Sequence, residues 1–331
     1  MPVIDAAGLS KYYGDTRGIE DLSLSVERGE VFGFLGPNGA GKTTAIRTLL
    51  GFQSPTAGSA TVLGNDIADE RAMVEARRNI GYLPSDPGLD GTVTGERLLE
   101  YYGSLRGEER RGELLELFSP PLERPIGEYS RGNKQMLAIV LAFMHDPELV
   151  FMDEPTSGLD PIKQERFDEF VRTERENGVT FFMSSHILSE VQKICDRVGI
   201  IRNGQLVELE NIETLRSRGG KSVHLRVAEA VPPSAFDIDG VANLTVGSGE
   251  DPPRRDGTDS AEATAFSFTF TGRYNALIEH LTDFDVLDFT IEDAPLDEVF
   301  RRFYDGSAGP EPDDGTDGEE SSEDVVDRGV S

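Results

Sequence analysis

A glycine-rich segment near the start of the chain carries the clearest chemistry. Gly36 and Gly41 frame four residues and are followed by Lys42 and Thr43, which fits the phosphate-loop pattern G-x-x-x-x-G-K-[ST]. Glycines let the backbone wrap so that successive N–H groups point at phosphate oxygens, and the following helix adds its positive dipole end. In this pattern the lysine reaches the β- and γ-phosphates, and the threonine hydroxyl binds Mg²⁺. The predicted nucleotide-binding loop comprises Gly36, Pro37, Asn38, Gly39, Ala40, Gly41, Lys42, Thr43 and Thr44.

Further polar residues follow two predicted buried strands. The run Glu148 to Met152 leads into Asp153 and Glu154, and the run Val179 to Met183 is soon followed by His186. Carboxylates at the carboxyl end of a central parallel strand lie where α/β sheets bind their ligands. A lone histidine is usually structural, but this one follows a strand of the same sheet and precedes a helix. These three side chains are therefore candidates for a ligand site.

Two more candidates are open to more than one interpretation. Ser130 and Gly132 open a predicted helix that runs from about Lys134 to Phe143, and a serine and a glycine at a helix start form a potential anion site. Tyr13 lies between two predicted strands, at 3 to 9 and 20 to 35. It could stack on a nucleobase, or it could be a partly buried packing residue.

The predicted elements around these residues indicate an α/β fold of the P-loop NTPase type. Short strands with alternating apolar positions precede the loop as an antiparallel sheet, and a helical region covers residues 94 to 118. We expect a nucleotide-binding domain at 1–218 and a small α+β domain at 219–304. The small domain should contain a polar insertion, Gly247 to Ser260, and a final helix at about Leu296 to Phe303. The acidic tail at 305–331 is expected to be disordered.

The net charge of −29, from 61 acidic and 32 basic residues, argues against a nucleic-acid-binding protein, because a phosphate backbone would be repelled. The acids are spread over the whole chain, and only a few of the bases are lysine. This balance is typical of proteins that work in molar salt, where the Debye length shrinks to about 3 Å and self-repulsion is screened. The alternative is an ordinary acidic protein with a disordered acidic tail.

The sequence predicts a cytoplasmic protein. No apolar run approaches the roughly 20 residues needed to cross a bilayer, and the first residues do not resemble a signal peptide. The single cysteine, Cys195, rules out an internal disulfide and lies in an apolar helical context. A membrane role would therefore have to come through a partner.

Taken in order, these motifs resemble the ATP-binding cassette (ABC) ATPases over about residues 3 to 215. The resemblance implies that Tyr13 stacks on adenine, that Asp153 binds Mg²⁺ and that Glu154 is the base that polarises the attacking water. His186 would be the switch histidine that senses the γ-phosphate. The segment Ser157 to Asp160 resembles the D-loop at the seam of a dimer, and we count Asp160 among the nucleotide-binding residues.

The chain departs from the family pattern at two places. Ser130-Arg131-Gly132-Asn133 resembles the signature Ser-Gly-Gly-Gln, which contacts the γ-phosphate of ATP held by the opposite subunit. Arg131 and Asn133 replace glycine and glutamine, while Ser130 and Gly132 are retained. The second departure is Ser85, where the family has a glutamine. A serine hydroxyl can still bind Mg²⁺ or its water, but it is shorter.

The resemblance implies an ATP-hydrolysing subunit that dimerises around two ATP molecules and drives a separate membrane permease. The single cassette and the run Y-S-R-G-N-K-Q are most similar to drug-efflux exporters, including bacitracin-resistance systems. Such a subunit would lie on the inner face of the membrane through its permease. The alternative is a soluble ABC-type ATPase of translation or DNA repair, but those usually carry two cassettes or a long coiled-coil insertion. A P-loop protein used only as a nucleotide-binding scaffold is disfavoured because Glu154 and His186 are both present.

Overall fold

The structure is a computed structural model that describes residues 1–248 and 263–293. The predicted tail at 305–331, the predicted helix at Leu296 to Phe303 and most of the predicted insertion lie outside the described residues. The strands are β1 (Ile4–Tyr13), β2 (Thr16–Val26), β3 (Val31–Leu35), β4 (Ala57–Val62), β5 (Asn65–Asp66), β6 (Ile80–Leu83), β7 (Leu149–Asp153), β8 (Thr180–Ser185), β9 (Arg197–Arg202), β10 (Gln205–Asn211), β11 (Lys221–Val227), β12 (Val241–Ser248), β13 (Thr264–Phe270) and β14 (Val286–Asp293). The helices are α1 (Lys42–Leu49), α2 (Glu70–Ala76), α3 (Gly95–Arg106), α4 (Arg111–Phe118), α5 (Arg131–Phe143), α6 (Pro161–Glu176), α7 (Leu188–Ile194), α8 (Ile212–Gly219) and α9 (Tyr274–Leu281).

The central element is a six-stranded sheet in the order β10-β9-β3-β8-β7-β6. Its strands are parallel except for β10, which pairs with β9 as an antiparallel hairpin. Every residue of β3, β7 and β8 is buried, as expected for strands covered on both faces. Alternate side chains of these strands therefore pack into two hydrophobic cores. One surrounds Phe182 beneath α1, and the other surrounds Phe181 beneath α5 and α6.

A smaller antiparallel sheet, in the order β2-β1-β4-β5, packs next to the central sheet and contributes to the core around Phe182. Strand β1 is longer than predicted. It continues to Tyr13, which pairs with Thr16 across a tight turn, so Tyr13 ends a strand and does not lie in a loop. Residues 10 to 13 are mostly polar or aromatic and do not continue the apolar alternation of the strand. Pairing with β2 and β4 outweighs that local pattern.

The helices α3, α4 and α5 form a helical layer that is tied to the beginning of β6. The Arg106 guanidinium at the end of α3 donates hydrogen bonds to the carbonyl oxygens of Ile80, at 2.5 Å, and of Arg77. The His145 Nε2 donates to the same Ile80 oxygen at 3.2 Å. Burial lowers the pKa of His145 to about 4, so this ring is neutral at pH 7. These hydrogen bonds connect the helical layer to β6, the strand that leads to Ser85.

A separate four-stranded antiparallel sheet, in the order β12-β13-β11-β14, follows the β9-β10 hairpin and α8. Its inner face buries Val223, Leu225 and Val227 of β11 against Phe266, Phe268 and Phe270 of β13 and against α9. This core shares no residue with the two cores of the central sheet. No helix in the described part of the chain is long and apolar enough to cross a bilayer.

Candidate active site

The glycine-rich loop joins β3 to α1, and two of its glycines, Gly36 and Gly41, have no room for a side chain. A Cβ atom at Gly36 would lie 2.4 Å from the carbonyl oxygen of Ile201. A Cβ atom at Gly41 would lie 2.4 Å from that of Gly18, and Gly41 also has a φ of +110°. Only glycine tolerates both the close approach and the left-handed backbone. The resulting turn presents backbone N–H groups at the start of α1, an arrangement suited to phosphate oxygens.

Lys42 lies almost fully buried beneath this loop, with 6% of its surface exposed. Its Nζ donates to the carbonyl oxygens of Gly36 at 2.6 Å and Pro37 at 3.2 Å, and lies 3.7 Å from Glu154 Oε1. Burial lowers the pKa of Lys42, and the charges of Glu154 and Asp153 oppose that shift. The loop carbonyls thus hold a cation next to the glycine-rich turn.

A set of oxygen donors converges on Asp153, the last residue of β7, which is 2% exposed. The Thr43 hydroxyl donates to Asp153 Oδ2 at 2.7 Å, and the Ser184 hydroxyl donates to Oδ1. The Ser85 hydroxyl lies 3.5 Å from Oδ2. Hydroxyl and carboxylate oxygens suit Mg²⁺, which is usually held by one or two carboxylates together with substrate phosphates. No cluster of three or more His, Cys, Asp or Glu in the described residues could hold a metal by itself.

Glu154 follows Asp153 with its backbone in the left-handed region, at a φ of +51°. Its N–H donates to the carbonyl oxygen of Ser184 at 3.0 Å, which holds the turn at the end of β7. The His186 Nδ1 lies 3.0 Å from Glu154 Oε1. A non-glycine residue held in this backbone region is often found at functional sites. The turn directs the Glu154 carboxylate toward Lys42, away from the sheet interior.

Residues of the glycine-rich loop line one cleft of about 440 Å³ together with Asp153 and Glu154, and His186 is not among the lining residues. Tyr13 lies at its edge with 49% of its surface exposed. The Tyr13 hydroxyl donates to Gln53 Oε1 at 2.7 Å, and the Lys11 ammonium lies 5.5 Å from the ring centre. An exposed ring at the edge of this cleft is accessible for stacking on a base. The lining residues are Tyr13, Thr16, Arg17, Gly18, Asn38, Gly39, Gly41, Lys42, Thr43, Thr44, Ser85, Asp153 and Glu154.

Ser130, Gly132 and Asp160 are not among the residues that line this cleft. Ser130 is exposed and caps α5 by accepting a hydrogen bond from the N–H of Asn133 at 3.2 Å. Asp160 is also exposed and caps α6, and the bond that it accepts from the Lys163 N–H helps to lower its pKa. The two caps therefore belong to a second polar surface of the same chain.

Sequence reasoning missed several residues in and beneath the cleft. Ser184 is fully buried and bonds to Asp153 from the neighbouring strand, without lining the cleft itself. Its position at the exit of a buried strand, next to the strand of the acidic pair, was the available signal. Thr16, Arg17 and Gly18 line the cleft because the turn after Tyr13 folds over the loop. No motif in the sequence indicates them.

Comparison with known proteins places this site in a family. The model of the family described as "ABC transporter" matches residues 19–157. The chain is 36% identical to the bacitracin transport ATP-binding protein of Bacillus licheniformis over 233 residues, which cover 69% of this chain and 76% of that protein. This chain belongs to the ABC transporter family. Its ATP-binding cassette is an ATPase domain of the kind that hydrolyses ATP to drive transport.

Other relatives agree with this assignment. The linearmycin resistance ATP-binding protein of Bacillus subtilis is 36% identical over 67% of this chain and 73% of its own length. A solved ATP-binding subunit of an ABC transporter is 30% identical, with a TM-score of 0.60, and the alignment covers 65% of this chain and 92% of that one. The predicted P-loop NTPase fold is therefore confirmed. The roles of the individual cassette residues stay predictions.

Proposed function

We propose that this chain is the ATP-hydrolysing subunit of an exporter, in which two copies enclose two ATP molecules and drive a separate membrane permease. One observation carries the dimer: the predicted nucleotide-contacting residues fall on two surfaces of one chain. The cleft holds the phosphate loop, Asp153 and Glu154, whereas exposed Ser130 lies outside it. A second copy can bring its own Ser130 to the nucleotide in this cleft, which completes the site.

In this proposal each residue of the cleft has its own role in ATP binding or hydrolysis. Tyr13 stacks on adenine, and the loop N–H groups and Lys42 bind the phosphates. Thr43 and Asp153 would hold Mg²⁺, with Ser85 contacting it directly or through a water. The metal, when bound, offsets the negative charge on the β- and γ-phosphates. The oxygen donors that already converge on Asp153 support this arrangement.

Glu154 is the proposed base. Its carboxylate accepts a proton from a water molecule as the water oxygen bonds to the γ-phosphorus and the bond to the ADP oxygen breaks. Lys42 and His186 contact the same carboxylate oxygen, at 3.7 and 3.0 Å, and restrict its orientation. In this proposal His186 senses the γ-phosphate, and its contact with Glu154 carries that signal to the base.

The proposed permease site is an exposed apolar surface at the junction of the central sheet and the helical layer. A groove of about 230 Å³ is lined by Phe52 and Val74 and by three arginines. Next to it, α3 exposes Tyr101, at 59%, and Leu105, at 62%. Exposed apolar surface of this kind marks contact sites for proteins. The names of the antibiotic-transport relatives support an exporter as the partner system.

The dimer is tested by a matched pair of substitutions at Ser130. Aspartate and asparagine both cap helices as well as serine does, so α5 should remain folded in either variant. With a non-hydrolysable ATP analogue and Mg²⁺, we expect the molar mass of the wild type and of Ser130→Asn to double. Ser130→Asp should still bind nucleotide in its own cleft but remain monomeric, because its charge repels the γ-phosphate. Measurement is by light scattering after gel filtration, and a fully dimeric Ser130→Asp would contradict the proposal.

The alternative is an ABC-type ATPase of translation or DNA repair that has no permease. The net charge of −29 disfavours it, because a nucleic-acid backbone would be repelled. The two functions predict different locations for the chain in the cell when it is co-expressed with a candidate permease. Recovery with the membranes supports the transporter, and recovery only with ribosomes or DNA supports the alternative.

We also propose that the chain is adapted to a salt-rich interior, on the evidence of its charge balance. Raising KCl from about 0.1 M to about 2 M should raise the melting temperature, since screening weakens repulsion among the excess carboxylates. Sucrose at matched osmolality is the control, because it favours compact states without screening charge. If the melting temperature rises equally in KCl and in sucrose, the proposed salt adaptation is wrong and the chain is an ordinary acidic protein.

A further inference from the structure

Arg131, the first residue of α5, contacts the loop that follows the proposed catalytic base. Its Nη2 donates a hydrogen bond of 2.5 Å to the Ser157 hydroxyl. Its aliphatic part lies over Gly158, where an added Cβ would be 2.7 Å from Arg131 Cγ. Gly158 has a φ of +83°, so the backbone turns toward α5 in a conformation that favours glycine. The arginine therefore fits a surface that a side chain at position 158 would block.

The same loop is held to α5 at two further points. A Cβ at Gly132 would lie 2.9 Å from the carbonyl oxygen of Gly158, so helix and loop are in close contact. One turn later, the buried Gln135 Nε2 donates to the carbonyl oxygen of Pro155 at 2.7 Å. These contacts cover the segment 155–158, which starts immediately after Glu154 in the chain. The start of α5 and this segment must therefore move together.

A short path of hydrogen bonds continues from this contact to Glu154 itself. The Ser157 N–H donates to the carbonyl oxygen of Glu154 at 3.1 Å, which closes the turn that holds Glu154 in its left-handed conformation. On the other side of the turn, the Thr156 hydroxyl bonds to Glu190 of α7. Arg131 is thus two hydrogen bonds away from the backbone of the proposed base, and its neighbour Ser130 faces the second surface.

We propose that Arg131 is a positioning residue that couples the two ATP sites of the dimer. When Ser130 of one copy contacts the nucleotide of the other copy, Arg131 passes the movement of α5 through Ser157 to Glu154 of its own cleft. Hydrolysis in one cleft then depends on the nucleotide in the other. This inference rests on the proposed dimer, and it assigns a specific contact to the communication between the sites.

The test is steady-state ATPase activity against ATP concentration for wild type, Arg131→Met and Ser157→Ala. Each substitution removes one end of the hydrogen bond. We expect kcat to fall about 5- to 10-fold in both, with KM changed less than about 2-fold, because orientation is lost and nucleotide binding is not. The Hill coefficient should fall from near 2 in the wild type to about 1 in both variants. The double variant should be no worse than either single one, as residues of one network are not additive.

Two further variants distinguish a positioning role of the Arg131 side chain from an effect of its positive charge alone. Lys134→Met removes a cation from the next turn of α5 and should keep the wild-type Hill coefficient. Arg131→Lys keeps the charge and should restore part of kcat. A defective Arg131→Met beside a normal Ser157→Ala would mean that Arg131 acts directly on the bound nucleotide, and the proposal would be wrong. Additive losses in the double variant would also overturn it.

The kinetic test of the Arg131 coupling role can fail independently of the test of the dimer. Arg131→Met should still double its molar mass with the non-hydrolysable analogue, since Ser130 and Gly132 are intact. If the wild type itself stays monomeric, the proposed function fails, whatever the kinetics show. If the wild type dimerises and Arg131→Met keeps a Hill coefficient near 2, only the coupling role fails.

Discussion

Glu154→Gln should reduce kcat for ATP hydrolysis by about 10²- to 10⁴-fold, the usual contribution of a general base. Glutamine keeps the size of the side chain and can still bond to His186, but it cannot accept the proton of the attacking water. ATP affinity should be little changed, because the phosphate loop and Lys42 are intact. Phosphate release gives kcat, and equilibrium binding of a fluorescent ATP analogue gives the affinity.

The control for this variant is Glu148→Gln at the opposite end of β7. Glu148 is exposed and pairs with Arg28 at 2.9 Å, so the same chemical change is made just before β7, at the end away from the cleft. Its activity should stay within about 2-fold of the wild type, since an exposed ion pair contributes little to stability. A Glu154→Gln variant that keeps wild-type kcat would remove Glu154 as the base. The left-handed turn would then need another explanation.

Lys42→Ala should weaken ATP binding by about 10- to 100-fold, because one charge-assisted contact to phosphate is lost. It should also lower kcat by about 10²- to 10³-fold, since the same cation stabilises the charge that develops on the transferred phosphate. Binding is measured by titration calorimetry and hydrolysis by phosphate release. The loss in both quantities distinguishes this variant from Glu154→Gln, whose loss is confined to kcat.

Lys42 also holds the loop carbonyls of Gly36 and Pro37, so its removal could disturb the loop itself. Lys42→Met keeps the buried apolar stem and serves as a second variant, which should lose affinity to a similar extent. Lys193→Ala, an exposed lysine on α7, removes the same charge elsewhere and should bind ATP normally. Unchanged affinity in both Lys42 variants would contradict the assignment of the phosphate loop.

Much of the site could be predicted from the sequence, because its chemistry lies in short segments whose geometry is local. A buried strand, a glycine-rich turn and a helix, in that order, produce a phosphate loop wherever the segment is placed. Likewise, four consecutive apolar residues, Leu149 to Met152, predict a central strand and place Asp153 at its end. The start of α5 was predicted less well: the helix was expected from about Lys134, whereas Ser130 caps it and the first helical residue is Arg131.

The tertiary structure alone decided which segments meet. The order of the strands places β8 next to β7, and this brings Ser184 to Asp153 and His186 to Glu154. It also puts Ser130 outside the cleft and Arg131 against Ser157. Spacing along the chain carries little information about such pairs, because parallel strands are joined by long crossovers whose length does not set strand order. The strand order is instead determined by side-chain packing between the helical layer and the sheet. That packing involves residues from the whole core.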